Sequence, residues 1–206
     1  MTKSERRAIN RVRPDLDQLK AMAHPVRLTM LGKLRVDGPA TASSLAAQLG
    51  LNSGATSYHL RQLADAGLVV EDTERGNKRD RWWKAAHEAT VTEPSRADDV
   101  EERAVLGAYH SVVAHQAAVQ IEQAAAEAPE LPQEWADVVG ASDYNVYLTP
   151  EQVHRVKDAV HAVLAEVAET SRDADDAPEG AAAVVFQFHT FPRPGLLTHR
   201  DEDGRS

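Results

Sequence analysis

Two short helices joined by a tight turn, between residues 41 and 67, limit what this chain can fold into more than any other feature. Thr41 is a good N-cap for the first helix, and Gly50 supplies the positive φ that ends it. Leu51-Asn52-Ser53 then caps a second helix that runs to about Ala66, where Gly67 stops it. Helices of about 8 and 13 residues with a turn of three or four residues between them predict a helix-turn-helix motif.

The segments on either side complete one domain over residues 15–90. Upstream, apolar residues recur at helical spacing, and His24-Pro25 divides them between two helices. Downstream, Leu68-Val69-Val70 and Arg81-Trp82-Trp83-Lys84 predict two strands around a turn with a basic tip. A hairpin directly after the second helix of the motif is a wing. We expect one of the two tryptophans in the core and the other partly exposed.

A long helix and a smaller unit are expected in the second half of the chain. Residues 98–128 carry a band of apolar residues that is wider than the stripe of a surface helix, so a second surface must cover it. This indicates a dimerisation helix. Residues 141–192 predict a small α+β unit, with strands over Tyr144–Leu148 and Val184–Phe191 and a helix that begins at Thr149-Pro150-Glu151-Gln152. The band comprises Val105, Leu106, Tyr109, Val112, Val113, Ala117, Ile121 and Ala124.

Composition favours a mainly α protein with small β elements. Apolar residues make up 42% of the chain and aromatic residues 5%, so the core consists of Leu, Val and Ala, which suits packed helices. The chain has no cysteine, which excludes disulfides, thiolate nucleophiles and Cys-ligated metals. Because it has neither an apolar run of about 18 residues nor a signal peptide, we expect a soluble, cytoplasmic protein that makes no contact with a membrane.

The net charge of −9 is unevenly distributed along the chain. Residues 1–90 hold 15 Lys and Arg against 10 Asp and Glu, whereas residues 91–206 hold 8 against 22. Such asymmetry is typical of a protein with a nucleic-acid-facing half. Much of the basic excess lies in residues 1–14, which we expect to be a disordered tail, as are residues 193–206 at the other end.

The second helix of the motif has two chemically different faces. Thr56, Leu60 and Leu63 share one face and should pack inward. The opposite stripe could simply meet solvent, but the motif before it and the wing after it favour insertion into the major groove of double-stranded DNA. Basic wing residues can neutralise phosphates. The predicted DNA-binding residues are Ser53, Gly54, Ser57, Tyr58 and Arg61 in the helix and Arg75, Lys78, Arg79 and Arg81 in the wing.

Residues 15–88 resemble the ArsR/SmtB-type winged-helix regulators. The resemblance rests on Leu19-Lys-Ala-Met-Ala-His-Pro-Val-Arg-Leu28 and on the run from Ala46 to Val69. It implies a homodimer that represses transcription from a palindromic operator, with recognition helices about 34 Å apart in successive major grooves. It also implies DNA contacts at the predicted positions of the helix and the wing, a semi-buried His59, and release of DNA when a ligand binds.

A metal-responsive regulator of the same type is one alternative. Relatives that sense metals place Cys-x-Cys on the third helix or Asp-x-His before a later His pair, and this sequence has neither. His110 and His115 are five residues apart, a step of about 140° that puts them on different faces. His154 and His161 share a face at about 10 Å, too far apart for one zinc ion. We therefore expect no metal and no other cofactor.

An enzyme with a winged-helix appendage is the second alternative. It would need a nucleophile–base pair, a Gly-rich phosphate loop or a metal signature, and the second half shows none of these. A regulator without a metal can still respond to a small molecule of unknown identity. An apolar pocket between the dimerisation helices and the unit at 141–191 is where we expect such an effector.

Overall fold

A computed structural model describes residues 10–75, 80–92, 99–170 and 178–197, and the fold is mainly helical with two small sheets, as the composition predicts. The helices are α1 (Leu16–Met22), α2 (Pro25–Val36), α3 (Ala42–Leu49), α4 (Ser53–Asp65), α5 (Val100–Glu127), α6 (Gln133–Ala136) and α7 (Pro150–Thr170). The strands are β1 (Arg11–Val12), β2 (Ala40–Thr41), β3 (Val69–Glu71), β4 (Trp82–Ala85) and β5 (Ala89–Thr90). A 3₁₀ turn over Ala128–Glu130 follows α5.

The helix-turn-helix has the lengths and caps that the sequence predicts. The Thr41 hydroxyl accepts the backbone N–H of Ser44 at 3.1 Å, and α3 has 8 residues before Gly50 turns the chain with a φ of +64°. Asn52 caps α4, which has 13 residues and is followed by Gly67 with a φ of +68°. The turn and both helix boundaries therefore follow from local chemistry at the helix ends.

One hydrophobic core joins α1–α4 to the wing. Leu68, at the start of the wing, and Trp83, in β4, are buried in it, whereas Trp82 is half-buried on the opposite face, which confirms the expected division between the tryptophans. In the wing sheet, β4 lies between β2 and β3 and is antiparallel to both. The helices contribute the fully buried side chains of Met22, Met30, Leu31, Leu45, Thr56, Leu60 and Leu63.

The long helix α5 extends this core beyond the domain of residues 15–90. Leu106 and Tyr109 are buried against α1 and α2, and Lys20 forms an ion pair of 2.7 Å with Glu101 near the start of α5. Farther along, the Gln116 amide donates to the carbonyl of Pro25 at 3.2 Å, at the first residue of α2. The long helix is thus confirmed, with one face on the winged domain. Within the ranges that the structure describes, no helix is both long and apolar enough to cross a membrane.

The end of the expected N-terminal tail is ordered, contrary to the boundary drawn at residue 14. β1 pairs in parallel with β5, and Val12 is buried. The side-chain amide of Asn10 donates to the carbonyl of Ala86 at 3.0 Å. The backbone carbonyl of Asn10 accepts the backbone N–H of Glu88 at 2.8 Å. The prediction was wrong because β5 offers unpaired backbone groups that no local pattern reveals. Residues 1–9 lie outside the described part.

The C-terminal unit contains its predicted helix but not its predicted strands. α7 starts with the expected capping pair, in which Gln152 N donates to the Thr149 hydroxyl and Thr149 N donates to the Gln152 amide oxygen. Tyr144–Leu148 and Val184–Phe191 form no strand. The prediction of strands was wrong because alternation favours an extended backbone, whereas a strand also needs a hydrogen-bonded neighbour. Residues 171–177 and 198–206 lie outside the described part.

Replacing Leu60 by alanine tests whether the inward face of α4 holds the domain together. We expect the free energy of unfolding to fall by about 2–5 kcal/mol, because a fully buried leucine loses its packing and leaves a cavity. Urea denaturation followed by circular dichroism measures the change. Arg61→Ala, on the exposed face of the same helix, is the control and should stay within about 0.5 kcal/mol of the wild type. Equal losses in both variants would contradict this division of the faces.

Candidate nucleic-acid interface

The inward face of α4 fixes the orientation of its outward face. Thr56, Leu60 and Leu63 are fully buried, as the sequence predicts. At the start of the helix, the Asn52 side chain accepts the backbone N–H of Ala55 at 2.7 Å, and the Thr56 hydroxyl donates to the Asn52 carbonyl at 3.1 Å. Capping satisfies an orphan N–H and also locks the first turn, so that the residues after Asn52 are held at a defined angle.

The five predicted residues of α4 lie together on the face that points away from the core. Ser53, Gly54 and Arg61 are exposed, Tyr58 is 51% exposed, and Ser57 is half-buried between them. The Arg61 Nε donates to the Ser57 carbonyl at 3.3 Å, so its stem lies along the helix. This surface presents two hydroxyls, a phenol and a guanidinium on a rigid helix. These are groups that bond to base edges and phosphates.

The wing is held by a buried carboxylate that the sequence analysis did not single out. Asp72 is 4% exposed, and its backbone N–H donates to the Trp82 carbonyl at 2.8 Å. The Lys84 ammonium donates to its carboxylate at 3.2 Å. A buried charge is tolerated when it is paired. Asp72 therefore ties the two strands together at the base of the hairpin.

Two of the four predicted wing cations lie in the described part of the wing, and both face acidic neighbours. Arg75 Nε is 3.8 Å from an Asp72 oxygen, and Arg81 Nε is 3.2 Å from Glu71. The guanidinium of Arg81 also lies over the ring of Trp83, 5.7 Å from its centroid. Both arginines have side chains that are 60% exposed. Lys78 and Arg79 fall outside the described residues.

A pair of histidines lies where the start of α2 meets the middle of α4. The rings of His24 and His59 are 4.8 Å apart between centroids, and the ring of Tyr58 is 5.4 Å from that of His59. The Nδ1 atoms of both histidines are buried, and neither has a hydrogen-bond partner among the residues that the structure describes. His59 is half-buried, as the family resemblance implies.

The surroundings of this pair favour neutral imidazoles. Burial lowers the pKa of His24, and the nearby Arg27 charge lowers it further. Burial, His24 and Arg27 likewise lower the pKa of His59. Arg27 is itself fixed in place, because its guanidinium donates to the carbonyls of Lys20, at 3.0 Å, and Ala21 in the last turn of α1. The contact between α2 and α4 thus includes two imidazole rings whose neutral form is favoured beside a fixed cation.

The remaining histidines of the metal-sensor hypothesis do not converge. His110 Nε2 is 3.3 Å from the Thr92 hydroxyl, and burial lowers the pKa of His110. His115 and His154 are exposed. Among the described residues, no group of three or more His, Asp or Glu side chains is arranged to hold a metal ion.

Comparison with known proteins places the motif in a family. A family model described as a helix-turn-helix domain matches residues 22–72. This chain therefore contains a helix-turn-helix domain, and in the structure a wing follows it directly. The helix-turn-helix that the sequence predicts is thereby confirmed, and the match runs from the end of α1 to the base of the wing.

Two curated proteins match this region. The HTH-type transcriptional regulator YgaV of Escherichia coli (strain K12) is 41% identical over 61 residues, 30% of this chain and 60% of that protein. The HTH-type transcriptional regulator NmtR of Mycobacterium tuberculosis is 44% identical over 54 residues, 26% of this chain and 44% of that protein. The chain thus covers less than two thirds of the length of either relative.

Among solved structures, a variant of ZitR from Lactococcus lactis in its apo form superposes with a TM-score of 0.32 and 12% sequence identity. The superposition covers 70% of this chain and 83% of that one. At that score it supports no conclusion about how the elements are arranged.

The histidine pair predicts a pH dependence of stability. A lowered pKa means that, below about pH 6.5, the unfolded histidines take up protons that the folded ones do not. The free energy of unfolding should therefore be fully retained above about pH 6.5 and fall as the pH drops below it. His59→Phe keeps an aromatic ring and removes one titrating group, so the slope should become flatter. Urea titrations at about pH 7.5 and pH 5.5 measure it.

The control for this slope is His154→Gln, which changes an exposed histidine on α7. It should show the wild-type difference between the two pH values. In His59→Phe, part of the pH dependence should remain, because the pKa values of His24 and His110 are lowered too. If His59→Phe and His154→Gln gave the same slope as the wild type, the histidine pair would not be a source of the pH dependence of stability.

Proposed function

We propose that this chain is a transcriptional regulator that binds a specific site on double-stranded DNA through α4 and the wing. The observation that carries the proposal is the exposed polar surface of α4, held rigid by the buried face of the same helix and followed directly by a hairpin with basic residues. The names of YgaV and NmtR, both HTH-type transcriptional regulators, support the same function. Its place of action would be the cytoplasm.

Within this proposal, α4 and the wing have different tasks. Ser53, Gly54, Ser57, Tyr58 and Arg61 recognise bases and adjacent phosphates from the major groove. Arg75, Lys78, Arg79 and Arg81 bind phosphates from the wing. Acidic neighbours already balance part of the charge on Arg75 and Arg81. We therefore assign these two arginines a positioning role rather than a large share of the affinity.

The proposed functional unit is a homodimer that represses transcription from a palindromic operator. Apolar side chains of α5 and α7 support it: Ile121 is 56% exposed in the single chain, Val163 60% and Val167 51%. Soluble proteins seldom leave contiguous apolar patches open to water, because covering them is favourable. A second copy of the chain would cover these faces and place two recognition helices about one helical turn of DNA apart.

Binding to the intergenic DNA upstream of the gene for this chain tests the proposal directly. Fluorescence anisotropy should show tighter binding to that DNA than to a random duplex, with affinity falling steeply as salt rises because phosphate contacts release counterions. Footprinting should show two half-sites about 10 base pairs apart between centres. Equal affinity for both duplexes at every salt concentration would rule out specific recognition, and one isolated half-site would rule out the dimer.

A series at Arg61 separates base recognition from phosphate binding. Arg61→Ala should reduce the preference for the specific duplex by about 10- to 100-fold, because a guanidinium that bonds to guanine is worth about 1–3 kcal/mol. Arg61→Lys keeps the charge but loses the planar fork, so the preference should remain low while binding to random DNA recovers. Arg75→Ala is the wing control and should weaken both duplexes about equally. Full recovery of preference in Arg61→Lys would make Arg61 a phosphate contact instead.

A further inference from the structure

A cleft of about 270 Å³ lies between α2 and α5, and none of its lining residues belongs to α4 or to the wing. The extended segment after α7 borders it, and the Gln187 amide of this segment donates to the Gln120 amide oxygen on α5 at 2.6 Å. The apolar wall of the cleft consists of Leu28, Val113, Ala117 and Phe188. Small-molecule sites commonly combine an apolar wall with a few polar groups in this way.

Open space lies above Gly32, a residue of α2 that also lines the cleft. A Cβ atom at Gly32 would meet nothing within 4 Å, and its φ is not in the positive range. Neither backbone geometry nor local packing therefore requires a glycine in this helix, where glycine is less favourable than alanine. The missing side chain keeps the cleft open.

Arg35, a cation with no carboxylate partner in the described part of the chain, also lines the cleft. Arg35 donates to two neutral groups, from Nε to the His87 carbonyl at 2.9 Å and from Nη2 to the Thr90 hydroxyl at 2.9 Å. Burial lowers the pKa of Arg35, and no ion pair involving it occurs among the described residues. Buried charges in proteins are normally paired. The guanidinium here is half-buried, and no carboxylate among the described residues pairs with it.

The other polar groups of the cleft are compatible with an anion. They are the amides of Gln120 and Gln187 and the imidazole of His189, and none of the described lining residues is acidic. The amide of Gln116, which also lines the cleft, already donates to Pro25 and Thr29. Amide N–H groups can donate to an anion, whereas a carboxylate in the wall would repel it. The charge pattern therefore differs from that of the acidic second half as a whole.

We propose that this cleft binds a small apolar molecule with one anionic group. The apolar body lies against Leu28, Val113, Ala117 and Phe188, beside Gly32, and the anionic group compensates the charge of Arg35. The site belongs to one chain and uses only residues outside the DNA-facing surface. Because α2 also packs against α4, occupancy can change how the recognition helix is held. Only this last step, an effect on DNA binding, rests on the proposed function.

Two fluorescent probes with the same aromatic body test the site. 8-Anilinonaphthalene-1-sulfonate carries a sulfonate, and N-phenyl-1-naphthylamine lacks it. We expect the sulfonate probe to bind one site per chain at least ten-fold more tightly than the neutral probe. Equal affinities would overturn the assignment of an anionic ligand.

A substitution that fills the cleft shows whether the probe binds there. Gly32→Leu adds an isobutyl group at a position where a Cβ atom meets nothing within 4 Å, and it should weaken binding of the sulfonate probe at least ten-fold. Ala47→Leu adds an apolar side chain at an exposed position of α3 and should leave binding unchanged. Circular dichroism melting checks that both variants fold. Wild-type affinity in a folded Gly32→Leu variant would overturn the site.

Anisotropy with the upstream DNA, measured without any probe, keeps the two proposals apart. If the wild-type chain binds DNA specifically but Gly32→Leu leaves probe affinity unchanged, the cleft is not the ligand site and the proposed function stands. If Gly32→Leu removes probe binding but the wild type shows no preference for the upstream DNA, the ligand site stands and the proposed function does not.

Discussion

Burial of one face of α4 is the interaction on which the remaining structure depends. Thr56, Leu60 and Leu63 enter the core completely, and a helix that is anchored along one side can present its other side only in one orientation. The caps at Asn52 and Gly67 set where that helix begins and ends. Affinity for DNA would gain from this rigidity, since side chains on a fixed helix lose little entropy when they bind.

The base of the wing uses a different kind of restraint. Asp72 is buried, and its carboxylate accepts a hydrogen bond from Lys84. Its backbone N–H also donates to the Trp82 carbonyl, which joins the two sides of the hairpin. A paired charge has strict geometric requirements, whereas apolar contacts allow sliding. The hairpin is therefore fixed at its base by direction-dependent bonds, while α4 is fixed by shape and burial.

Local chemistry explains why the sequence predicts so much of the domain. Thr41, Gly50, Asn52 and Gly67 act within one turn of the helix that they bound, so their effect is visible in neighbouring letters. The exposed face of α4 follows from the same periodicity. What the sequence could not predict depends on residues that are distant in the chain, such as Asn10 with Ala86 and His24 with His59.

The same distinction between local and long-range effects explains which features the sequence does not predict. Opposite charges on the two strands of the hairpin could have indicated that Asp72 forms an ion pair. Its partner, Lys84, is identified only when the register of the strands is known. The expected strands at 144–148 and 184–191 have the right alternation, but neither pairs with a neighbouring strand in the described part of the chain. Pairing of strands is a long-range property, and alternation reports only which face each side chain would occupy.

The pairing of β1 with β5 changes where the winged domain can be cut from the chain. A fragment that starts at Asp15 would expose the backbone groups of Ala89 and Thr90 and remove the buried side chain of Val12. Such an edge is a template for pairing with another molecule. A minimal fragment of the winged domain must therefore include Asn10, although the first helix does not begin until Leu16.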